Sequence, residues 1–414
     1  MSEAGTRLLV RLPGFGSDVR VNALIGCGHF LSHYYQLCLP PMFIVWQREF
    51  GASFAELGLA MALMSATTAV VQAPIGFLVD RYGARRFLIA GTLVMTLSIA
   101  AMGLATAFWQ IALLAMLSGL GNSVIHPADY AILSASVNPE RIGRSFSLHT
   151  FVGNVGFAAA PPVTAALTIL VGWRQTLFLV GLLGIPVVLS IMWQSRILLD
   201  PKIEQRRRRS SLIESTRFLF SRSILLFFGF FMVSSMAGAG IQSWLITVLH
   251  RAHGLSLEAA SSGLTGYMLG AMVGILVGGW VADRTDRHLS FVVVLTVLGA
   301  VVMLLVGLVA LPQVVTVGVL FAGGAMMGAS RTPRDVMVKD AAPPGEIGKV
   351  FGFISSGLSL GGAIMPVFYG FMIDSGRPEL VLVLVAGLWL LSLCFAGSAR
   401  VGARPAAVVT AAAD

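Results

Sequence analysis

The chain has 414 residues, of which 56% are hydrophobic and 11% charged, and 28 Lys and Arg against 19 Asp and Glu leave a formal net charge of +9. A soluble globular protein carries about 25% charged residues, so a soluble enzyme, a secreted disulfide scaffold and a disordered chain are excluded at the outset. What remains is an all-α integral membrane protein, and its 46 glycines suit the close helix contacts of that class.

A membrane-crossing helix needs about 20 apolar residues. Twelve runs meet that need, over 21–46, 55–79, 87–106, 109–136, 144–171, 175–196, 223–249, 258–282, 289–311, 313–340, 347–373 and 379–399. The first begins after Arg20 and is too long for the core of a cleaved signal peptide, so it counts as a retained span. His29, His33 and Gln36 follow one another at i, i+4 and i+7 and share one face of it. Lipid would not tolerate that face, so it points into a cavity. The cysteines, Cys27, Cys38 and Cys394, all lie inside apolar runs, and no disulfide is expected.

The fourth run carries His126-Pro127 and Asp129. Pro127 removes a backbone donor and can kink the helix. His126 and Asp129, at i and i+3, share a face, and an imidazole beside a carboxylate suits a proton relay or an anion-binding cation. The fifth run adds His149 and Asn154. Segment 197–222 follows the sixth run and holds Arg206 to Arg209, a topology determinant and a contact for anionic headgroups. It separates an N-terminal half, 1–196, from a C-terminal half, 223–400, with a short tail over 401–414. In the seventh run Gln242 and Trp244 offer polar and aromatic surface. In the tenth, Arg331 and Arg334 flank Pro333; Arg331 lies deeper and is the candidate anion contact of this half. Arg334 is one residue from Asp335 and does not share its face, so a partner on another span is expected.

Four histidines inside spans invite a metal. No Cys or acidic residue stands at ligand spacing beside His29 and His33, so no metal is expected. No Gly-x-x-x-x-Gly-Lys-Ser/Thr and no nucleophile with a plausible base occur, so the chain is read as neither an ATPase nor an enzyme, without a cofactor and driven by an ion gradient, protons first. With both termini in the cytoplasm, only Arg48, Arg174, Arg251 and Arg377 fall on the opposite face, while most of the other basic residues lie inside. The positive charge therefore sets topology in a bacterial-type inner membrane and does not imply nucleic acid.

The halves repeat. Gly76 to Asp80-Arg81 corresponds to Gly279 to Asp283-Arg284, Pro127-Ala128-Asp129 to Pro333-Arg334-Asp335, Glu140 with Arg144 to Glu346 with Lys349, and Pro161 to Pro366. Two six-helix halves joined by a basic loop is an arrangement of secondary transporters, with the substrate held near the midplane between them. Features shared by both halves, Asp80, Asp283, Asp129, Asp335, Glu140 and Glu346, fall toward the cytoplasmic ends and, with Arg81, Arg85, Arg144 and Arg284, form a candidate gate; the alternative is a static ion-pair cluster, and Asp129 has a third reading as a proton carrier. Features confined to one half, above all His33, His126 and Arg331, are the candidate substrate contacts.

The segment Gly76-Phe77-Leu78-Val79-Asp80-Arg81-Tyr82-Gly83-Ala84-Arg85-Arg86 resembles the signature loop of the major facilitator superfamily. With the spans and the repeat, the resemblance covers the whole chain. It implies a fold of six plus six helices, alternating access, and a cytoplasmic gate held by Asp80 with Arg81 and Arg85. Ser32-His33, and His126-Pro127 after Gly119-Leu120-Gly121, resemble the fosmidomycin-resistance branch of exporters. That branch usually places Asn-Asp shortly after the first-span histidine, where Tyr34-Tyr35-Gln36 stand here, and Ala115 to Ser118 lack the Arg common in drug/proton antiporters. The resemblance implies proton-coupled export of a small organic drug or metabolite by a monomer. The histidines and Arg331 suit a polar or anionic solute better than a bulky lipophilic cation. The alternative is an importer or facilitator of a small carboxylate.

Overall fold

The computed structural model describes residues 15–199, 217–282, 284–342 and 347–402. Sixteen α-helices and no strand occur among them. In the first half these are α1 (Phe15–Leu37), α2 (Phe43–Phe50), α3 (Phe54–Tyr82), α4 (Ala84–Met102), α5 (Phe108–Asn122), α6 (Ile125–Ser136), α7 (Ile142–Val171), α8 (Trp173–Leu182) and α9 (Gly184–Trp193). The second half contains α10 (Arg222–His253), α11 (Leu257–Ala282), α12 (His288–Leu308), α13 (Gln313–Ala329), α14 (Arg331–Ala341), α15 (Ile347–Asp374) and α16 (Glu379–Gly402). Most of the linker, with Arg206 to Arg209, lies outside the described residues, as do Asp283, Glu346 and the end of the tail.

Twelve spans account for these helices, because spans one, four, six and ten are each interrupted. The first turns through a 3-10 segment at Pro40–Met42. The other interruptions follow one rule. Proline removes the N–H that would bond the carbonyl four residues back and pushes its ring against that carbonyl. Counting back from Pro127, Pro186 and Pro333 gives Ser123, Leu182 and Ala329, and α5/α6, α8/α9 and α13/α14 part at those places. In the fourth and tenth spans a serine hydroxyl at the break, Ser123 or Ser330, donates to the carbonyl three residues back, at 2.7 and 2.8 Å. Eleven spans are long and apolar enough to cross a membrane. The first has the length in α1, 23 residues, but Asn22, His29, Ser32, His33 and Gln36 dilute its apolar character.

The packing repeats between halves. α1 lies on α7 and α3 on α5 in the first half; α10 lies on α15 and α11 on α13 in the second. The α11–α13 contact is the closest in backbone. Gly270, Gly274 and Gly278 present bare backbone to Phe321, Ala325 and Ala329, while Gly324 and Gly328 do the same toward Tyr267 and Ala271. Small residues every fourth position let two helices meet without side chains between them.

Between the halves, α3 meets α15 and α7 meets α11. The bonds that fasten them lie at the end opposite the signature loop. Both oxygens of Asp374, at the end of α15, accept from the free N–H groups of Phe54 and Ala55 at the start of α3, each at 2.8 Å. Arg251 donates to Gln47 across the same joint at 2.7 Å. The fully buried Trp244 ring sits between Phe43 and Phe54, with centroids at 5.0 and 6.0 Å.

Candidate functional site

Four of the chain's 7 histidines meet inside the first half. His29 and His33 come from α1, one turn apart, with ring centroids at 4.3 Å. His126 comes from the start of α6, just past the break, 5.1 Å from His29 and 6.2 Å from His33. His149 comes from α7 and stacks flat on His29 at 3.7 Å. The approach of α7 to α1 depends on Gly153 and Gly156. A side chain at Gly153 would run into the rings of His29 and His33, and one at Gly156 into the backbone of Phe30.

The hydrogen bonds give these rings different duties. The Nδ1 of His29 meets the carbonyl of His149 at 2.8 Å. A carbonyl only accepts, so this nitrogen carries the proton and donates. The Nε2 of His149 and Oδ2 of Asp129 share a hydrogen bond at 2.9 Å, and both side chains are buried, at 1% and 0% exposure. Asp129 therefore finds its partner on α7; the i, i+3 relation to His126 placed the two on one side of a helix without joining them. The Nε2 of His29, the Nδ1 of His33, the Nδ1 of His149 and the Oδ1 of Asp129 are buried and have no hydrogen-bond partner among the described residues. His33 and His126 are half-buried. Phe157 stacks on His33 at 4.0 Å, and Tyr130 lies parallel to His126 at 6.2 Å. Sequence reasoning missed both aromatics. Tyr130 stands one turn after His126, and Phe157 two turns after His149.

In the second half Arg331 opens α14 with its side chain exposed. Arg334 contacts its neighbour Asp335 after all, though loosely, at 3.7 Å, and Asp335 is 47% exposed. Its guanidinium also lies over the Phe231 ring at 4.2 Å, so the partner from another span is an aromatic face.

The remaining candidates are dispersed. Gln36 is half-buried on the histidine face of α1. Asn154 spends its amide on the Thr150 carbonyl of its own helix, at 2.8 Å. Gln242 is half-buried in α10. Trp244 belongs to the joint opposite the signature loop, with Nε1 donating to the Pro366 carbonyl at 2.9 Å. Of the candidate gate, the Asp80 side chain and all of Asp283 lie outside the described residues. Arg85 donates to the Ser195 carbonyl at 2.9 Å, within its own half. Arg81 lies over Tyr82 and Arg284 over Trp280, at 5.4 and 4.1 Å, and Arg144 is exposed.

Three stabilising acids also went unread. Asp18 binds Arg141 Nε at 2.6 Å and ties α1 to the start of α7. Glu49 binds Arg174 at 2.6 Å and accepts from Trp173 Nε1 at 2.5 Å, tying α2 to α8. Asp374 caps α3. The pattern Ser53-x-x-Glu56 marks the start of α3 as a capping box, but nothing local to Asp374 shows that it will meet that start.

The family model of the Major Facilitator Superfamily matches residues 25–264 and 233–412. A "Probable L-galactonate transporter" of Escherichia coli is 28% identical over 57% of this chain and 55% of its own length. An "Uncharacterized MFS-type transporter", YfnC of Bacillus subtilis, is 26% identical over 89% of this chain and 90% of its own. The "Fosmidomycin resistance protein" of Escherichia coli is also 26% identical, over the same shares, 89% and 90%. Among solved structures, a bacterial homologue of the human lysosomal transporter Spinster, inward-facing and unoccupied, superposes with a TM-score of 0.81 at 16% identity, covering 93% of this chain and 97% of that one.

Proposed function

The chain belongs to the Major Facilitator Superfamily, and from that premise we propose that it moves a small polar or anionic organic solute across the inner membrane by alternating access, in exchange for protons, as an exporter with both termini in the cytoplasm. One observation carries the reading: the rings of His29, His33, His126 and His149 cluster in the first half, where polar groups inside a span mark a functional site, and Arg331 stands exposed at the start of α14 in the second. Cationic and hydrogen-bonding groups then close on an anion from both sides, and rocking of the halves breaks one set of contacts before the other. A bulky lipophilic cation finds no acidic ring here. The joint through Asp374, Arg251 and Trp244, at the end opposite the signature loop, is closed, so access to the site in this conformation is proposed from the signature-loop side.

Asp129 is the proton carrier of this reading. It is fully buried, bonded through one oxygen and unpartnered at the other. An ionisable group so placed in a span is a functional site by default. The full-length likeness to the fosmidomycin resistance protein supports export. A second reading, uptake of a small carboxylate, is favoured by the likeness to the L-galactonate transporter over the matched part.

The test uses purified protein in liposomes, with fosmidomycin and L-galactonate as probes. Gradient-driven movement of either probe by the wild type, lost in Asp129→Asn while exchange without a gradient persists, is the expected result. Unchanged gradient dependence in that variant would overturn the proton assignment. Uptake that needs no gradient would replace export by the carboxylate reading.

A further inference from the structure

We propose that His29, His33 and His126 bind one divalent transition-metal ion, with a coordination position left open toward the interface between the halves. The inference deepens the transport site described above, yet it concerns binding alone and stands or falls without reference to the solute.

One nitrogen from each of the three rings lies within 4.8 Å of the other two. A tetrahedral ion with bonds of about 2.0–2.1 Å holds its ligand atoms about 3.3 Å apart. The cluster therefore has to draw in by about 1.5 Å at most, within reach of imidazole rotation. The expectation of no metal rested on the lack of a Cys or acidic residue at ligand spacing beside His29 and His33. The break before Pro127 brings His126 in from a different span, and spacing along the chain could not show that.

The rings are also presented as ligands. His29 donates through Nδ1 to the His149 carbonyl, so in the neutral ring Nε2 holds a lone pair, and that atom is buried without a partner. A histidine whose second nitrogen is fixed by a carbonyl is the usual form of a metal ligand. His33 offers a second buried, unpartnered nitrogen, Nδ1, with its ring plane held by Phe157. Behind them, Asp129 fixes His149, and His149 stacks on His29. This supporting layer orients the first ligand without binding the ion itself. Gly153 keeps α7 from displacing either ring.

Three neutral imidazoles select the class of ion. They suit Zn2+, Co2+, Ni2+ and Cu2+, and not Mg2+ or Ca2+, which require oxygen ligands. Three protein ligands leave a fourth position for water or a solute oxygen. His33 and His126 are only half-buried, which leaves room for that position. All three ligands belong to one half, so rocking of the halves leaves the site intact while its open position changes sides.

The experiment titrates Co2+ and Zn2+ into the full-length protein in detergent, purified through a tag that contains no histidine. Calorimetry gives stoichiometry, and visible absorption reports four-coordinate Co2+. The expected result is one ion per chain, with affinity weakened at least about tenfold in His33→Gln and in His126→Gln and unchanged in His250→Gln and His253→Gln. The last two rings are remote, bonded to the Leu255 and Val306 carbonyls. His29 is the most buried ligand, so its variant is read only if its melting temperature matches the wild type. Absence of a stoichiometric site in folded wild type, or a site that survives His33→Gln with His126→Gln, overturns the proposal. Neither result bears on whether Asp129 couples transport to protons.

Discussion

The fourth and tenth spans descend from one repeat and share one backbone device, a helix parted within a turn of Pro127 or Pro333 with a serine at the break. Beyond the shared proline, aspartate and serine, their side chains differ. Past the first break come His126 and Asp129, drawn into the first half, with Asp129 sealed at 0% exposure. Past the second come Arg331, Arg334 and Asp335, left toward the interface. The pairing of each span differs as well. α13 meets α11 along a run of bare glycine backbone, whereas α5 meets α3 near Gly119, against the Met64 backbone, with the Thr68 hydroxyl donating to the Gly119 carbonyl at 2.9 Å. The break is common scaffolding that places polar groups at mid-depth. What those groups do is decided separately in each half.

The sharpest way to break this comparison is to neutralise the two equivalent acids. Asp129→Asn is expected to lose gradient-driven transport outright, because it removes the buried carboxylate bonded to His149. Asp335→Asn is expected to keep it, because that carboxylate is half-exposed and only loosely paired. Flux under an imposed pH gradient in liposomes decides. Equal loss in both variants would mean that the repeat preserves a shared gate and that the halves are not specialised.

The second test concerns packing. Gly324→Leu puts a side chain where the Tyr267 backbone lies and is expected to cost about 1–3 kcal/mol or more by overpacking. Gly318→Leu on the same helix meets nothing nearby and should be close to neutral. Melting in detergent, followed by intrinsic fluorescence, checks the pair. A similar small loss in both would show that α11 and α13 can separate freely.

The sequence made some of this legible and left the rest dark, for physical reasons. Helix existence, the halves and the kink at Pro127 follow from local chemistry, since apolar length and a missing N–H act within a turn or two; the other breaks were not legible, because Pro74, Pro161, Pro162 and Pro366 lie inside unbroken helices. The i, i+4 pair His29 and His33 was visible for the same reason. The bond from Asp129 to His149, the stacking of His149 on His29 and the hold of Asp374 on α3 join residues from different spans, and nothing in the spacing along one helix encodes them. Trp244 illustrates the opposite error. An aromatic beside polar neighbours reads as a solute surface, but its indole is consumed by the Pro366 carbonyl at the joint opposite the signature loop. Helix periodicity says which residues share a face. It does not say which face meets the other half.

Arg331 supplies the third test. Removing a charged hydrogen-bond partner of an anion costs about 1.5–3 kcal/mol. Arg331→Gln is therefore expected to raise the KM for an anionic solute about tenfold or more, with Arg331→Lys between the two. Arg334→Gln should act on stability instead, since that guanidinium is engaged with Phe231 and Asp335. A KM effect from Arg334 and none from Arg331 would reverse their roles.

The smallest expected effect lies at the joint opposite the signature loop, where the two halves are unlike in a different way: one contributes a helix start and the other an acid. The free N–H groups of Phe54 and Ala55 carry the positive end of α3, and Asp374 satisfies both from across the interface. When the halves open on that side, water must take over from the carboxylate, so the bond stabilises the closed joint without locking it. Loss of a helix-capping side chain costs about 0.5–2 kcal/mol, enough to shift the balance of open and closed forms by roughly 2- to 30-fold. Asp374→Ala should therefore raise the rate at which an impermeant maleimide, added from outside, labels a cysteine placed at Gln36. Asp374→Glu should fall between, and Arg251→Gln, which removes only the contact to Gln47, should do less than either. A labelling rate untouched by Asp374→Ala would mean that the buried contacts of Trp244 with Phe43 and Phe54 hold the joint by themselves.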